Sequence, residues 1–418
     1  MEATERPARP AHDRKCLGLA SRWAYRFVQN YLSGLRYGAI TIQTAGQEAV
    51  TFGKADTGMH AVIYVRNPRF FWRTVMGGDI GFAESFIDND WDTDDLPMLI
   101  RILAENREAL NDLRVATALP QRVLNRAYHL RRRNTLVGNR RNIQDHYDLG
   151  NEFFKLFLDT SMTYSCGLYP TGTESEDGSQ RVKLNAVIDK AQLLPSDHLL
   201  EIGSGWGSLA IRAAEQTGCR VTTITLSEKQ QQYVEREVAR AGLQDRVEVH
   251  LSDYRKINGS FDRIVSIEML EAVGHENLEI YFEICGRVLK PGGRAVLQVI
   301  TIRDELYEEY RRGCDFIQRH IFPGGHLPCW SALARAISSS STLIVDNIED
   351  IGHNYARTLH GWQERFRANV SEVRALGFDE SFIRKWIYYF SYCEAGFRSR
   401  LLGNLQVVLC KPSGQRTK

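Results

Sequence analysis

The sequence holds no apolar run that approaches the ~18–20 residues a membrane-spanning helix requires, so no such helix is expected. Its eight cysteines (Cys16, Cys166, Cys219, Cys285, Cys314, Cys329, Cys393 and Cys410) are scattered, with no CxxC pair and no zinc-ligand spacing. That pattern argues against a disulfide framework and against a bound metal, and a reducing cytoplasm is the expected compartment. Repeats and low-complexity blocks are missing as well, which excludes solenoids and long disordered arms. Net charge is only +2, and no DNA- or RNA-binding signature is present, so nucleic acid is not an expected partner. The opening stretch, MEATERPARPAHDRK, is polar and proline-bearing, and is expected to be a loose tail rather than a signal or anchor.

What remains is a chain of 418 residues, long enough for two or three domains with cores of their own. Charge is unevenly spread: residues 1–141 carry 21 Lys+Arg against 15 Asp+Glu, and the rest carries 32 against 36. Much of the basic excess lies in PQRVLNRAYHLRRRNTLVGNRR, residues 120–141, with seven arginines and no acid. Arginine forks suit phosphate oxygens, whereas a solvated linker face is the plainer reading of the same charges.

Two textures divide the chain. From Gly38, AITIQTA, EAVTFG and HAVIYVRN alternate with a two-residue period and read as strands, followed by helices broken at glycines. In LPMLIRILAENREAL, residues Leu96, Leu99, Ile100, Leu103 and Ala104 share one helical face. This reads as a smaller α+β domain over 38–119 after a leading segment 1–37, joined by the basic linker 120–141 to a domain over 142–418. The second domain alternates helix and strand: VKLNAVIDKAQLL, then HLLEI, CRVTTITL, RVEVHL, FDRIVSI and GRAVLQVI, with KPGG as a turn before the last. Such alternation predicts an α/β, Rossmann-like, mostly parallel sheet with helices on both faces.

LLEIGSGWGSLA, residues 199–210, is a strand, a glycine turn and a helix start. Gly203, Gly205 and Gly207 allow a tight turn and a close approach to a ligand beyond the strand's carboxyl end. A dinucleotide site would show GxGxxG and an acid closing the second strand. Here the glycines run GxGxG, and Thr225, Leu226 and Ser227 close that strand, with Gln230 just beyond. EIGSGWG instead resembles the first motif of class I S-adenosylmethionine-dependent methyltransferases. That resemblance implies cofactor contacts at Glu201, Gly203, Ser204, Gly205, Trp206, Gly207, Thr225, Leu226, Ser227 and Gln230. Asp253 and Tyr254 follow the third strand where that fold meets adenine, although Asp253 serves equally well as a helix cap.

The segments NIQDHYDLGNEFFKLFLDTSMTYSCGLY, EIGSGWGSLA, TLSEKQ, SIEMLEAVG, DFIQRHIFPGGHLP, NYARTLHGWQERF and YYFSYCEAGFRSRLLGNLQVVL occur in order along the chain. From about Gly38 to Lys411 the sequence resembles the cyclopropane-fatty-acyl-phospholipid synthases, and GDIGFAESFIDNDWDTDDL resembles their N-terminal domain. The resemblance implies S-adenosylmethionine as methyl donor and the cis double bond of an unsaturated phospholipid acyl chain as acceptor. It also implies a carbocation that closes to a ring once a bound bicarbonate takes its proton. Carried over by motif, Cys166, Glu271, Gln298, Ile300 (through its backbone) and Tyr355 would surround that bicarbonate, and Tyr164 and Ser165 would meet the methionine end of the cofactor. MTYSCGLY then reads as a lid joining cofactor to base. Gln298 departs from the histidine of many members; plant-like members share the glutamine, which both donates and accepts.

Each of these residues has a plainer role open to it. Cys166 suits a small buried hydrophobe, Glu271 a helix cap or an arginine partner, Tyr355 a core tyrosine. Cys393 reads as structural, and Arg398 and Arg400 as candidate headgroup contacts. An acyl double bond lies deep in a bilayer, so peripheral membrane binding is expected through RFFWRTV (69–75), the arginine-rich linker and the helices after Asp304. The same machinery would also serve a methyl- or methylene-branching enzyme, and a non-catalytic lipid-binding relative stands as the alternative of another class. A homodimer is left open.

Overall fold

The computed structural model describes residues 19–55, 58–114 and 149–414. The basic segment 120–141 and residues 142–148 (NIQDHYD) lie outside those residues. The chain divides into two compact units, Met1–Gln121 and Arg122–Lys418.

In the first unit α1 (Leu19–Leu32) leads into β1 (Ala39–Thr44), β2 (Val50–Gly53) and β3 (His60–Val65). Then come α2 (Arg69–Ile87), the short β4 (Trp91–Asp92), α3 (Leu96–Glu105) and α4 (Arg107–Arg114). The sheet order is β2-β1-β3-β4, with β1 and β3 parallel and the other pairs antiparallel. Alternation does what the pattern demands: Ala61, Ile63 and Val65 are buried, and the residues between them less so. Asp95 caps α3 by accepting from the Met98 amide at 2.9 Å. That helix buries Leu96, Leu99, Ile100 and Ile102, whereas Leu103 and Ala104 stay part-exposed, so the apolar face is rotated from the one read in sequence.

Beyond the opening stretch, the leading segment holds α1, which buries Ala24, Val28 and Leu32 and sets its Tyr25 ring edge-on to Phe71 at 4.9 Å. One expectation for this unit changes: RFFWRTV is not a ready surface patch. Phe70 and Phe71 are core residues, and Arg69 and Arg73 are bound to the buried Asp90. Trp72 alone among its aromatics is exposed. The physical reason is that helix α2, kinked where Gly78 takes φ +58°, turns its phenylalanines onto Trp91.

The second unit carries a seven-stranded sheet of β5 (His198–Ile202), β6 (Arg220–Thr225), β7 (Val247–Leu251), β8 (Phe261–Ile267), β9 (Leu289–Ile302), β10 (Ile344–Asp350) and β11 (Leu402–Cys410). Its order is β10-β11-β9-β8-β5-β6-β7; β7 through β9 run parallel, and β11 and β10 close the edge antiparallel. KPGG lies within β9 rather than before it, where the pairing with β8 shifts register between Phe261 and Arg263.

Helices cover the sheet. They are α5 (Asn151–Lys155), α6 (Glu176–Ala191), α7 (Ser208–Thr217), α8 (Glu228–Arg240), α9 (Leu278–Val288), α10 (Asp304–Tyr310), α11 (Phe316–His320), α12 (Trp330–Ser340), α13 (Gly352–Ala368), α14 (Val370–Ala375) and α15 (Glu380–Arg398). One core cluster joins the sheet to α6, α7 and α8; a second joins it to α9 and α12. A third body of buried rings, Phe153, Phe157, Trp362, Phe366, Trp386 and Phe390, locks α5, α13 and α15 together. Strand β5 sits between β8 and β6, so the chain order reverses there, and the crevice beyond its carboxyl end is where such sheets take ligands.

Candidate active site

The glycine turn leaves β5 and enters α7. Gly203 and Ser204 donate their amides to Ile224 O at 3.1 and 2.9 Å, tying the turn to β6. Gly205 has φ +50°, and a side chain added there would meet nothing within 4 Å. Open space beside a left-handed residue is what a ligand-approached backbone needs, so the turn fits a bound nucleoside. Ser204 donates its hydroxyl to Gly205 O at 3.1 Å. Trp206 is buried against Phe154 and donates to Asn151 Oδ1 at 2.9 Å, which makes it a support of the turn from beneath.

Around the second strand, Thr225 donates to Gln230 Oε1 at 2.8 Å, and Ser227 caps α8 by accepting from the Gln230 amide. Leu226 lies between them, part-exposed. The Gln230 Nε2 atom is buried with no partner within the chain, a donor still to be used. Glu201 accepts from Thr223 Oγ1 at 2.5 Å, and burial pushes its carboxyl up to about 8. Asp253 takes the cap role: it accepts from the Arg255 amide at 2.9 Å and holds the Arg255 guanidinium at 2.8 and 2.7 Å. Tyr254 is a core residue against Tyr281. Their side chains thus have partners other than an adenine.

MTYSCGLY is a strap pinned along its length. Ser165 O accepts from Gln180 Nε2 at 2.8 Å, and Ser165 Oγ from the buried Lys183 ammonium at 2.7 Å. The amides of Gly167, Leu168 and Tyr169 donate to Thr358 Oγ1, Ser179 O and Asn354 Oδ1. Tyr164 shares a hydroxyl contact of 2.8 Å with Tyr389 and lies 5.2 Å from the Trp362 ring. Burial lowers Lys183 to about 8, against the pull of Glu268 and Asp159.

The residues expected around bicarbonate do converge, but on a group of the chain itself. Glu268 Oε1 accepts from the Cys166 amide at 3.0 Å, from Gln298 Nε2 at 2.8 Å and from Asn404 Nδ2 at 2.7 Å. Glu268 Oε2 accepts from the Tyr355 hydroxyl at 2.6 Å. Glu271 stands beside it, its Oε1 taking the Ile300 amide at 2.5 Å and its Oε2 buried without a partner. Burial first, and then the Glu268 charge, raise Glu271 to about 8, so near neutrality it carries its proton. Cys166 contributes its amide; its thiol, fully buried, is pushed well up by burial and by Glu268, which excludes a thiolate nucleophile. The Cys166, Gln298 and Tyr355 donors are therefore occupied by a carboxylate that sequence reasoning missed and the Ile300 amide by Glu271, so an added bicarbonate does not fit among them.

Glu268 follows β8 in a left-handed conformation, φ +49°, and its amide donates to Gln298 O at 2.7 Å. The next residue, Met269, lies 3.2 Å from where a Gly203 side chain would begin. The segment that carries Glu268 thus abuts the glycine turn. Gln298 in turn accepts from Gln406 Nε2 at 2.9 Å, and Gln406 accepts from the Lys190 ammonium. Lysine can only donate, so every amide in this row points its N–H toward Glu268.

Residues 135–407 match the family model for mycolic acid cyclopropane synthetase. The chain is 36% identical over 376 residues to the tuberculostearic acid methyltransferase UfaA1 of Mycobacterium tuberculosis, covering 86% of this chain and 85% of that one. It is 35% identical over 361 residues to the cyclopropane-fatty-acyl-phospholipid synthase of Escherichia coli, covering 84% and 88%. Among solved structures, mycolic acid cyclopropane synthase CmaA1, complexed with SAH and CTAB, superposes with a TM-score of 0.61 at 31% identity, over 65% of this chain and 98% of that one. The cyclopropane synthase MmaA2 from M. tuberculosis superposes with the same TM-score at 29% identity, again over 65% and 98%.

Two measurements check this site. Gly205→Val puts a β-branched side chain into the open space at a strained φ, a cost of ~1–3 kcal/mol; calorimetry should show S-adenosylhomocysteine affinity reduced roughly tenfold or more. Glu271 has a folded-state pKa above its ordinary 4.5, so its contribution to stability is complete below that value and is lost as pH rises through about 8. Denaturation midpoints of the wild type should therefore fall relative to Glu271→Gln across this window; parallel curves would refute the buried, protonated carboxyl.

Proposed function

Because the chain belongs to the mycolic acid cyclopropane synthetase family and has the class I methyltransferase fold, we propose that it methylenates the cis double bond of unsaturated phospholipid acyl chains with S-adenosylmethionine as donor. The observation that carries this reading is a part-buried, fully hydrogen-bonded carboxylate on the segment that abuts an open glycine turn, with a wall of aromatic rings nearby. Bound at the turn, the cofactor would supply an electrophilic methyl on a sulfonium. Gly203, Gly205, Thr225 and Gln230 would hold it, with Tyr164 and Ser165 at its methionine end.

An alkene is a weak nucleophile, and its attack leaves a carbocation. Tyr355, Trp362 and Tyr164 form a connected set of rings, 6.1 and 5.2 Å apart by centroid. Each aromatic face near a cation contributes ~0.5–2 kcal/mol. The buried rings also keep water from trapping the cation as an alcohol.

A second reading keeps the site and changes the fate of the cation: a hydride shift before proton loss gives a methylene-branched chain. The similarity to a tuberculostearic acid methyltransferase favours keeping it. Incubation with methyl-labelled S-adenosylmethionine and a cis mono-unsaturated phospholipid should add one labelled CH2 across the double bond. Deuterium on the alkene carbons should stay in place for ring closure and migrate for branching. Label in any product other than an acyl chain would sink both readings.

The protein would work from the cytoplasm at a membrane surface. No described helix is long and apolar enough to cross a membrane. Instead Trp23 and Trp72, 51% and 43% exposed, meet at 6.4 Å on the N-terminal unit, an amphipathic pair suited to the headgroup level. Co-sedimentation with vesicles rich in anionic lipid should drop several-fold for a Trp23→Ala/Trp72→Ala variant and for loss of Arg131–Arg133. Unchanged binding in both would remove this surface from the account.

A further inference from the structure

Resting on the reaction just described, we propose that Glu268 is the proton acceptor of this enzyme and occupies the seat of the bicarbonate that the family resemblance implies. Four donors from four separate segments close on its carboxylate: the Cys166 amide, Gln298 Nε2, Asn404 Nδ2 and the Tyr355 hydroxyl. Three of those residues are the ones expected to hold the inorganic ion. The fourth expected donor, the Ile300 amide, is taken by Glu271. A second anion would find these donors already bonded, and it would meet the Glu268 carboxylate at short range in a part-buried site, where like charges repel.

The two oxygens of Glu268 are not equivalent. Oε1 receives three donors, Oε2 a single one from Tyr355. A carboxylate oxygen accepts about two bonds, so Oε2 retains the capacity to take a proton while Oε1 anchors the group. The left-handed backbone at Glu268 is one that residues with side chains seldom adopt, and such geometry persists only where surrounding bonds enforce it. Here the Glu268 amide is bonded to Gln298 O, so one residue, Gln298, fixes both the backbone and the carboxylate.

The step balances without a further reagent. The alkene π pair forms a C–C bond to the incoming methyl carbon as the S–C bond breaks, its electron pair staying on sulfur. A C–H bond of that methyl group then gives its pair to the cationic carbon, closing the ring, and the proton passes to Glu268 Oε2. Substrate, sulfonium donor and carboxylate become cyclopropane, thioether and carboxylic acid, and the acid later returns its proton to solvent.

The experiment compares wild type, Glu268→Gln and Glu268→Gly in full-length protein. Glycine is at home at φ +49°, so Glu268→Gly empties the donor nest without straining the backbone. In carbon-dioxide-free buffer, with labelled S-adenosylmethionine and mono-unsaturated phospholipid vesicles, wild type should turn over at full rate. Glu268→Gln should fall about a hundredfold or more, with S-adenosylhomocysteine affinity by calorimetry within about twofold. Glu268→Gly should be inactive until bicarbonate is added. Independently of turnover, carbon-13 NMR of labelled bicarbonate should show binding to Glu268→Gly and none to wild type. Bicarbonate bound by wild type, turnover that depends on it, or a Glu268→Gln enzyme at the wild-type rate would each overturn the assignment. Should wild type modify no acyl chain at all, the reaction is wrong, while the NMR comparison still decides whether Glu268 holds the anion's seat.

Discussion

Carboxylate oxygens partly withdrawn from water need hydrogen-bond donors in exchange, and four segments of the second unit supply them to Glu268. The donors arrive from the strap at Cys166, from β9 at Gln298, from α13 at Tyr355 and from β11 at Asn404. Hydrogen bonds to a charged group contribute about 1.5–3 kcal/mol each, more than neutral ones. A shift of any of the four segments removes a donor from this carboxylate. The same bonds that stabilise the carboxylate therefore hold strap, sheet and helical cap in one arrangement.

The sheet supplies the polarity of that network. Glu349, Gln406 and Gln298 share a row across β10, β11 and β9, and Ile267, next to Glu268, continues it on β8. Lys190 from α6 sits at the far end and can only donate, so the amides line up with their N–H groups toward the carboxylate. A glutamine at position 298 suits this row, because its carbonyl accepts from Gln406 while its amide donates to Glu268. The departure from histidine and the presence of a resident carboxylate are thus two halves of one arrangement. Glu271, pushed up by burial and by Glu268 and fastened to the Ile300 amide, avoids placing a second charge beside it.

Several parts of the site were legible before any coordinates. The glycine turn was readable because a strand, three glycines and a helix start are all local, and the open space at Gly205 suits that reading. Cys166, Gln298 and Tyr355 were singled out together, and they do meet. Other readings failed for identifiable reasons. RFFWRTV looked like a surface patch because phenylalanine next to arginine is ambiguous in one dimension; the kink at Gly78 and the buried Asp90 resolve it inward. Asp253 had two plausible roles, and the structure displays the cap, with the Arg255 amide and guanidinium both on its carboxylate. Glu268 went unnoticed because SIEML gives no signal of its own: an acid ending a strand looks like any strand-end polar residue.

By itself the sequence determined the alternation of strand and helix, the nucleoside-type turn and the family membership, because each is written in contiguous residues whose period or motif is local. Only the tertiary structure decided which donor meets which acceptor. Glu268 lies 102, 30, 87 and 136 residues from its four partners along the chain. Hydrogen bonding is satisfied within about 3 Å whatever the distance in sequence. Which donors meet the Glu268 carboxylate is therefore a property of the folded chain.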